Sequence, residues 1–402
     1  MGLTLLVLRI ALCATEPIQI DEYAGSSLRG ALFHALLRRF CMNPTATQCM
    51  TCDLNQTCPV AGLISPLRDE RPRGRDVPRP FVLTTERASK DLPCTDQAES
   101  SEGIKIEPEQ RFSFDLTLIG QAIRYLPYVV LSVPLLESSG VGKPVSTNGG
   151  RRGRFHVEQI DLVDPLAGTA SSGERTQRLY TRGEAKVAKP ELMITPQQVT
   201  ARARELAAAA AKSGQFTIRF LTPTRLIADG LLVHKPDFRI LALRLAERVE
   251  ALERAYGAAS VAGSLSADGD VALTEEERAA ARARYTRIGQ AAAQIKLVSD
   301  ETRWVNVASY SARQHRATPI GGFVGRATFA LPAEHAQHAG AAPHIEIPDE
   351  LWEALVWGEA LHVGKNAVKG DGLYRIQAVG AGASQTPSQP SIHRRILQTC
   401  GY

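Results

Sequence analysis

Four groups of residues stand in patterns that can move protons, hold phosphate or bind metal. The first lies on the segment Ser26 to Phe40. Leu28, Leu32, Phe33, Leu36, Leu37 and Phe40 gather on one side of a helix of about 3.6 residues per turn, and Ser27, His34 and Arg38 gather on the other. An imidazole titrates near neutrality and can act as general acid or base, and an arginine one turn further on can hold an anion. The plainer alternative is a surface histidine beside an unrelated arginine. Tyr23 precedes this helix, where it either helps hold a ligand or simply packs.

The second group is the glycine-rich stretch after Leu361. Gly364, Gly370 and Gly372 are spaced so that backbone N–H groups can approach phosphate, and Lys365 and Lys369 add charge. His362 opens the stretch, either as a second acid–base group or as a structural residue that fixes the loop. The third group is basic: Arg151, Arg152 and Arg154 cluster after Gly149-Gly150, and Arg313, Gln314 and Arg316 form a polar run. Arginine suits bidentate contacts to phosphate or guanine, while the alternative for both segments is a solvated connection.

The fourth group is Cys41, Cys49, Cys52 and Cys58, four of the seven cysteines, all within 18 residues. Cys49-x-x-Cys52 is a good metal half-site, and Cys41 and Cys58 can complete tetrahedral zinc. The outer spacings are not those of a common zinc finger, so an iron–sulfur cluster and reduced packing cysteines remain alternatives. A four-cysteine site is closed and would not catalyse.

Two similar orders of elements are available to position these residues. In the first half, Leu3–Leu12, Pro80–Thr85, Arg111–Ile119 and Phe155–Val163 read as strands, and Ser26–Phe40 and Gln121–Leu136 as helices. In the second half, Phe216–Leu221, Trp304–Val307, Phe323–Leu331 and Leu373–Val379 read as strands, and Pro236–Tyr256 and Asp349–Leu361 as helices. Each half runs β-α-β-β-α-β, which predicts an α+β protein of tandem ferredoxin-like (RRM-like) domains with a cysteine-containing insertion. The expected division is 1–190 with the insertion at 41–66, a linker helix within 191–214, 215–380 with the glycine-rich loop, and a disordered tail at 381–402. Glu86 to Gln110 reads as loop, and Ser264 to Lys296 as largely helical.

Apolar residues make up 44% and charged residues 22% of the 402, the balance of a soluble globular protein, and the net charge of +5 is compatible with nucleic acid. No apolar run reaches the roughly 20 residues of a membrane-spanning helix. Leu3 to Cys13 imitates a signal peptide, but it has no basic lead and Arg9 interrupts it, so it reads as a buried strand of a cytoplasmic protein. Phosphate-binding loops of the P-loop type, dinucleotide fingerprints, G-x-S-x-G elbows and H-E-x-x-H motifs are absent, and no compact acidic cluster suits a two-metal nuclease.

Four segments resemble the CRISPR repeat-processing endoribonucleases of the RAMP superfamily. They are Gly25 to Leu36; the cysteine segment ending Cys58-Pro59; Arg303-Trp304 through Tyr310-Ser311-Ala312-Arg313-Gln314 to Gly321-Gly322-Phe323-Val324-Gly325; and Leu361-His362-Val363-Gly364-Lys365 to Gly370-Asp371-Gly372-Leu373-Tyr374. They keep the same order over most of residues 1–380. Asp371 departs from that family's loop, which usually carries an apolar or aromatic residue there. The resemblance implies metal-independent cleavage of repeat RNA by 2′-hydroxyl attack, leaving a 2′,3′-cyclic phosphate and a 5′-hydroxyl. It implies His34 as the leading catalytic residue with His362 and Lys365, and RNA contacts from Tyr23, Arg29, Arg38, the two basic runs and the glycine-rich loop. The expected partners are CRISPR repeat RNA and a CRISPR effector complex, for a monomer or homodimer off the membrane. The main alternative is a non-catalytic RAMP subunit that binds guide RNA; a zinc-stapled interaction protein is the third.

Overall fold

The computed structural model describes residues 2–21, 23, 25–46, 49–64, 78–85, 103–166, 175–184, 186–258, 274–311, 316–332 and 346–378. The first half runs β1 (Leu5–Ala14), β2 (Ile18–Ile20), α1 (Gly25–Phe40), α2 (Pro59–Ile64), β3 (Phe81–Thr85), β4 (Ile104–Ile106), β5 (Arg111–Ile119), α3 (Leu126–Ser132), α4 (Leu135–Ser139), β6 (Val141–Val145), β7 (Arg151–Gly153), β8 (Phe155–Asp164) and β9 (Arg175–Thr181). After α5 (Pro196–Ser213) come β10 (Gln215–Thr224), β11 (Leu226–Ala228), β12 (Leu231–Val233), α6 (Phe238–Tyr256), α7 (Glu275–Gln294), β13 (Lys296–Val305), β14 (Ala308–Ser311), β15 (Arg316–Pro319), β16 (Gly322–Ala330), α8 (Asp349–Leu361) and β17 (Tyr374–Ala378).

Two sheets share one topology. The first has the order β3-β5-β1-β8-β9 and the second β13-β16-β10-β17. Setting β9 aside, each places its strands second, third, first, fourth, with antiparallel neighbours throughout. That is the ferredoxin-like arrangement, built twice.

The lack of polar alternation along β1, which only Arg9 interrupts, has a packing cause. Leu6, Leu8, Ile10 and Leu12 face the core shared with α1, α2 and α3, whereas Leu5 and Val7 join a second core with α5, α6 and α8. A strand covered on both faces shows no alternation. The second core joins the two halves directly. Helix α5 is part of that joint: a Thr195–Gln198 capping box starts it, Gly214 at φ 69° ends it, and Val199, Ala203, Leu206 and Ala210 form its buried stripe.

Four features differ from the sequence expectation. The helix expected over Gln121–Leu136 is a 3-10 turn (Gly120–Tyr125) followed by α3 and α4, because Pro127 and Pro134 cannot continue a helix from the preceding turn. Strand β13 begins at Lys296 rather than Trp304; its first six residues are polar or solvent-exposed and carry no alternation. The joining segment after Leu166 contains β9 as well as α5. A small sheet, β4-β2-β6-β7, lies partly in the segment read as loop, and three of its strands have only three residues each. The tail at 381–402 lies outside the described residues.

Candidate RNA-processing site

Helix α1 positions His34. Leu28, Leu32, Ala35 and Leu36 are buried beneath it, and Ser27, His34 and Arg38 are exposed, as the spacing predicts. The His34 ring touches that of Phe33, with centroids 5.6 Å apart, and makes no hydrogen bond among the described residues. With Arg38 it lines one side of a cavity of about 610 Å³, whose opposite wall is the cysteine-containing insertion. Among the described residues, no carboxylate lines that cavity.

The glycine-rich loop is built differently. His362 ends α8 at φ 61°, is 1% exposed, and uses both ring nitrogens. Nδ1 lies 3.2 Å from the Asp371 carbonyl, which can only accept, so Nδ1 carries the proton and Nε2 accepts from the Thr84 hydroxyl at 3.2 Å. Burial, with the Arg248 and Arg375 guanidiniums nearby, pushes its pKa down to about 3. Those arginines donate to the Leu361 and Glu359 carbonyls at the open end of α8. His362 is therefore a neutral strut between β3 and the loop, which is the structural one of the two roles open to it in the sequence.

The glycines serve packing. A Cβ on Gly364 would meet the Arg225 carbonyl at 2.4 Å, one on Gly370 the Leu83 carbonyl at 2.7 Å, and one on Gly372 the Val363 carbonyl at 1.8 Å. The N–H groups of Lys365, Lys369, Gly370 and Gly372 already donate to protein carbonyls. These four N–H groups are thus engaged in seating the loop, and Gly364, Gly370 and Gly372 are needed for its packing. The loop rests on β3 and on the first turn of α1, where Gly25 approaches the Lys369 carbonyl too closely for any side chain.

Lys365 is exposed, whereas Lys369 is half-buried, and burial followed by nearby Arg29 lowers its ammonium below the usual lysine range. Asp371 is 2% exposed. Burial pushes its carboxyl up to about 8, and Oδ2 has no hydrogen-bond partner among the described residues. A neutral acid inside the loop, rather than an anion at its tip, is the form this structure favours near neutral pH.

The first basic run lies on β7 and just after it. Arg154 is clamped to Glu16, with Nη2 2.7 Å from Oε1, and Arg151 donates to the Asn148 carbonyl at 3.1 Å. Arg152 is exposed and makes no ion pair among the described residues. Arg154 thus already has a carboxylate partner, unlike Arg152. Tyr23 and Arg29 are half-buried beside the start of α1. Arg316 lies in β15, and Arg313 and Gln314 fall outside the described residues.

Two features were not foreseen. The sheet register places Arg219, Arg326 and Arg375 side by side across β10, β16 and β17, and Arg326 is exposed. Their period-two spacing beside Phe216-x-Ile218 and Phe329-x-Ala327 was the available signal. Cys13, His156 and Glu158 also bring three possible metal ligands within 4.8 Å of one another, through the pairing of Cys13 with His156. Burial and then Glu158 push the Cys13 thiol up, and Arg111 binds Glu158 at 2.8 Å, so that group favours a protonated thiol and an ion pair.

The duplicated fold defines a class of α+β proteins built from paired ferredoxin-like domains. Residues 218–374 match the family model of the CRISPR-associated endoribonuclease Cas6, and residues 3–192 match the model AF_1859_N, described as an N-terminal domain. The Cas6 domain over residues 218–374 supports a CRISPR repeat-processing protein of the Cas6 family. Similar solved structures include a Cas6 product complex (17% identity, TM-score 0.46, covering 93% of this chain and 100% of that one). Cas6 of Thermus thermophilus is 14% identical, with TM-score 0.43 over 94% of this chain and 100% of that one. A partial Cas6-RT-Cas1–Cas2 complex is 10% identical, with TM-score 0.48 over 96% of this chain and 48% of that one. At such scores these remain likenesses, and the family rests on the domain match. No curated protein matches the chain. Among the described residues, no helix is long and apolar enough to cross a membrane.

Proposed function

We propose that the chain cuts the repeat RNA of precursor CRISPR transcripts by metal-independent attack of a 2′-hydroxyl on the adjacent phosphate, with His34 as the acid–base residue. The observation that carries this reading is an exposed imidazole with no hydrogen-bond partner among the described residues, on the same face as Arg38, at the edge of a cavity without carboxylates. The attacking oxygen loses its proton, the bond to the 5′-oxygen breaks, and that oxygen gains a proton. The products carry a 2′,3′-cyclic phosphate and a 5′-hydroxyl. His34 exchanges one of the two protons with the substrate, and Arg38 offsets charge gathering on the phosphorus-bound oxygens.

Lys369 and Arg29 lie at the start of α1, and His34 follows Gly25 by nine residues, about 13 Å along the helix axis. A short RNA strand lying along α1 would meet Lys365, Lys369 and Arg29 through phosphates and His34 and Arg38 at the scissile bond. Such an enzyme works in the cytoplasm and hands its product to a CRISPR effector complex.

The test is cleavage of a cognate repeat RNA by the purified chain in EDTA, with the ends mapped. A 5′-hydroxyl product is expected. RNA bound tightly but left whole would replace this reading with that of a guide-RNA-binding subunit.

A further inference from the structure

The segment from Cys41 to Thr57 has no apolar core of its own. Met42 is 83% exposed and Leu54 45% exposed, and among its described side chains only that of Asn55 is buried. Two short backbone turns link Cys52 to Cys49 and Cys58 to Leu54. A segment that buries so little apolar surface among its described residues gains most from a crosslink. Its four thiols are reduced, half-buried and all on the wall of the 610 Å³ cavity.

We propose that Cys41, Cys49, Cys52 and Cys58 bind one zinc ion in a closed tetrahedral site that clamps the insertion onto the end of the helix carrying His34. Zinc takes thiolates at about 2.3 Å, which puts the sulfurs about 3.8 Å apart. The sulfurs stand around the cavity without three of them converging within 4.8 Å, so binding would draw the walls inward and shrink the cavity. Asn43 Nδ2 already lies 3.7 Å from Cys52 Sγ, the kind of N–H donor that supports a metal-bound thiolate.

The position gives the metal a role. Cys41 directly follows α1, and its N–H donates to the Leu37 carbonyl, so a ligand there fixes the last turn of the helix beside Arg38. Zinc would hold the wall facing His34 without an open coordination position for catalysis. Its value to RNA cleavage rests on the function proposed above; the metal site itself does not.

The experiment uses the full chain, purified without oxygen, and no RNA. Elemental analysis should find about one zinc per chain. Cobalt(II) exchanged into the wild-type protein should show the intense visible bands of a tetrahedral tetrathiolate. Cys49→Ser and Cys52→Ser should lose both signals, and Cys13→Ser should keep them. Wild-type protein that holds neither zinc nor cobalt, peptide maps with disulfides among these cysteines, or iron in place of zinc would each overturn the proposal. Zinc present with RNA left uncut would leave this site standing and remove the proposed reaction.

Discussion

His34 and His362 illustrate how one residue type serves two ends in one chain. His34 stands on the solvent side of an amphipathic helix, with its ring nitrogens uncommitted among the described residues. His362 is sealed between the two halves, hydrogen-bonded at both nitrogens and held neutral. A group that must exchange protons with a substrate needs access and an accessible charged form. A group that holds a loop needs fixed partners and no charge. The exposed face of α1 thus has the access that the proposed chemistry requires, and the glycine-rich loop has the fixed contacts of architecture.

The comparison can be broken most directly at His34. His34→Ala should slow single-turnover cleavage of repeat RNA by roughly 10²–10⁴-fold while leaving the melting temperature unchanged. An unchanged rate would move the chemistry away from α1.

Gly372→Ala probes the opposite region. It would drive a Cβ into the Val363 carbonyl at φ 75°, and should cost about 2–4 kcal/mol of unfolding free energy in denaturant titrations. A loop built as an open phosphate cradle would tolerate the methyl and lose RNA affinity instead.

Asp371 sharpens the contrast through pH. Its carboxyl is raised to about 8 in the folded chain, so between its ordinary value and 8 the unfolded chain holds fewer protons and stability falls as pH rises. His362 works the other way: its lowered pKa, about 3, removes stability as pH falls below its ordinary value, so it does not mask the alkaline limb. From pH 6.5 to 8 the wild type should lose about 1–2 kcal/mol through Asp371. Asp371→Asn should flatten that limb, and parallel pH curves for the two proteins would remove the neutral buried acid.

Surface cations should give the smallest effects. Lys365→Ala should weaken RNA binding roughly fivefold and reduce the salt slope by about one, with stability unchanged. Arg152→Ala should cost more RNA affinity than Arg154→Ala, because Glu16 already neutralises Arg154; the reverse order in a filter-binding assay would show that the Glu16 pair opens on RNA.

Much of the scaffold was readable from local pattern. Asp349–Leu361 and Arg111–Ile119 fall where their periodicity puts them, and the linker helix starts at Pro196 behind its capping threonine. The exposed side of α1 followed from helical spacing alone. The glycine-rich loop was legible as a loop but not in its purpose, because composition cannot say whether an N–H faces a ligand or a neighbouring carbonyl. Arg154 looked like its neighbour Arg152 for the same reason: its partner Glu16 lies 138 residues away.

The division is a matter of range. The linear order of residues determined the period of each helix and strand, the duplicated β-α-β-β-α-β plan, the facing of His34 and Arg38, and the crowding of four cysteines into one insertion. These depend on neighbours within a few turns of chain. Tertiary structure alone decided that His362 is buried and neutral, that Asp371 is lifted out of the carboxylate range, and that the loop's glycines press against β3 and α1. Each of those follows from burial and close approach between residues hundreds of positions apart, as with Thr84 and His362, where desolvation and packing outweigh what a side chain does in water.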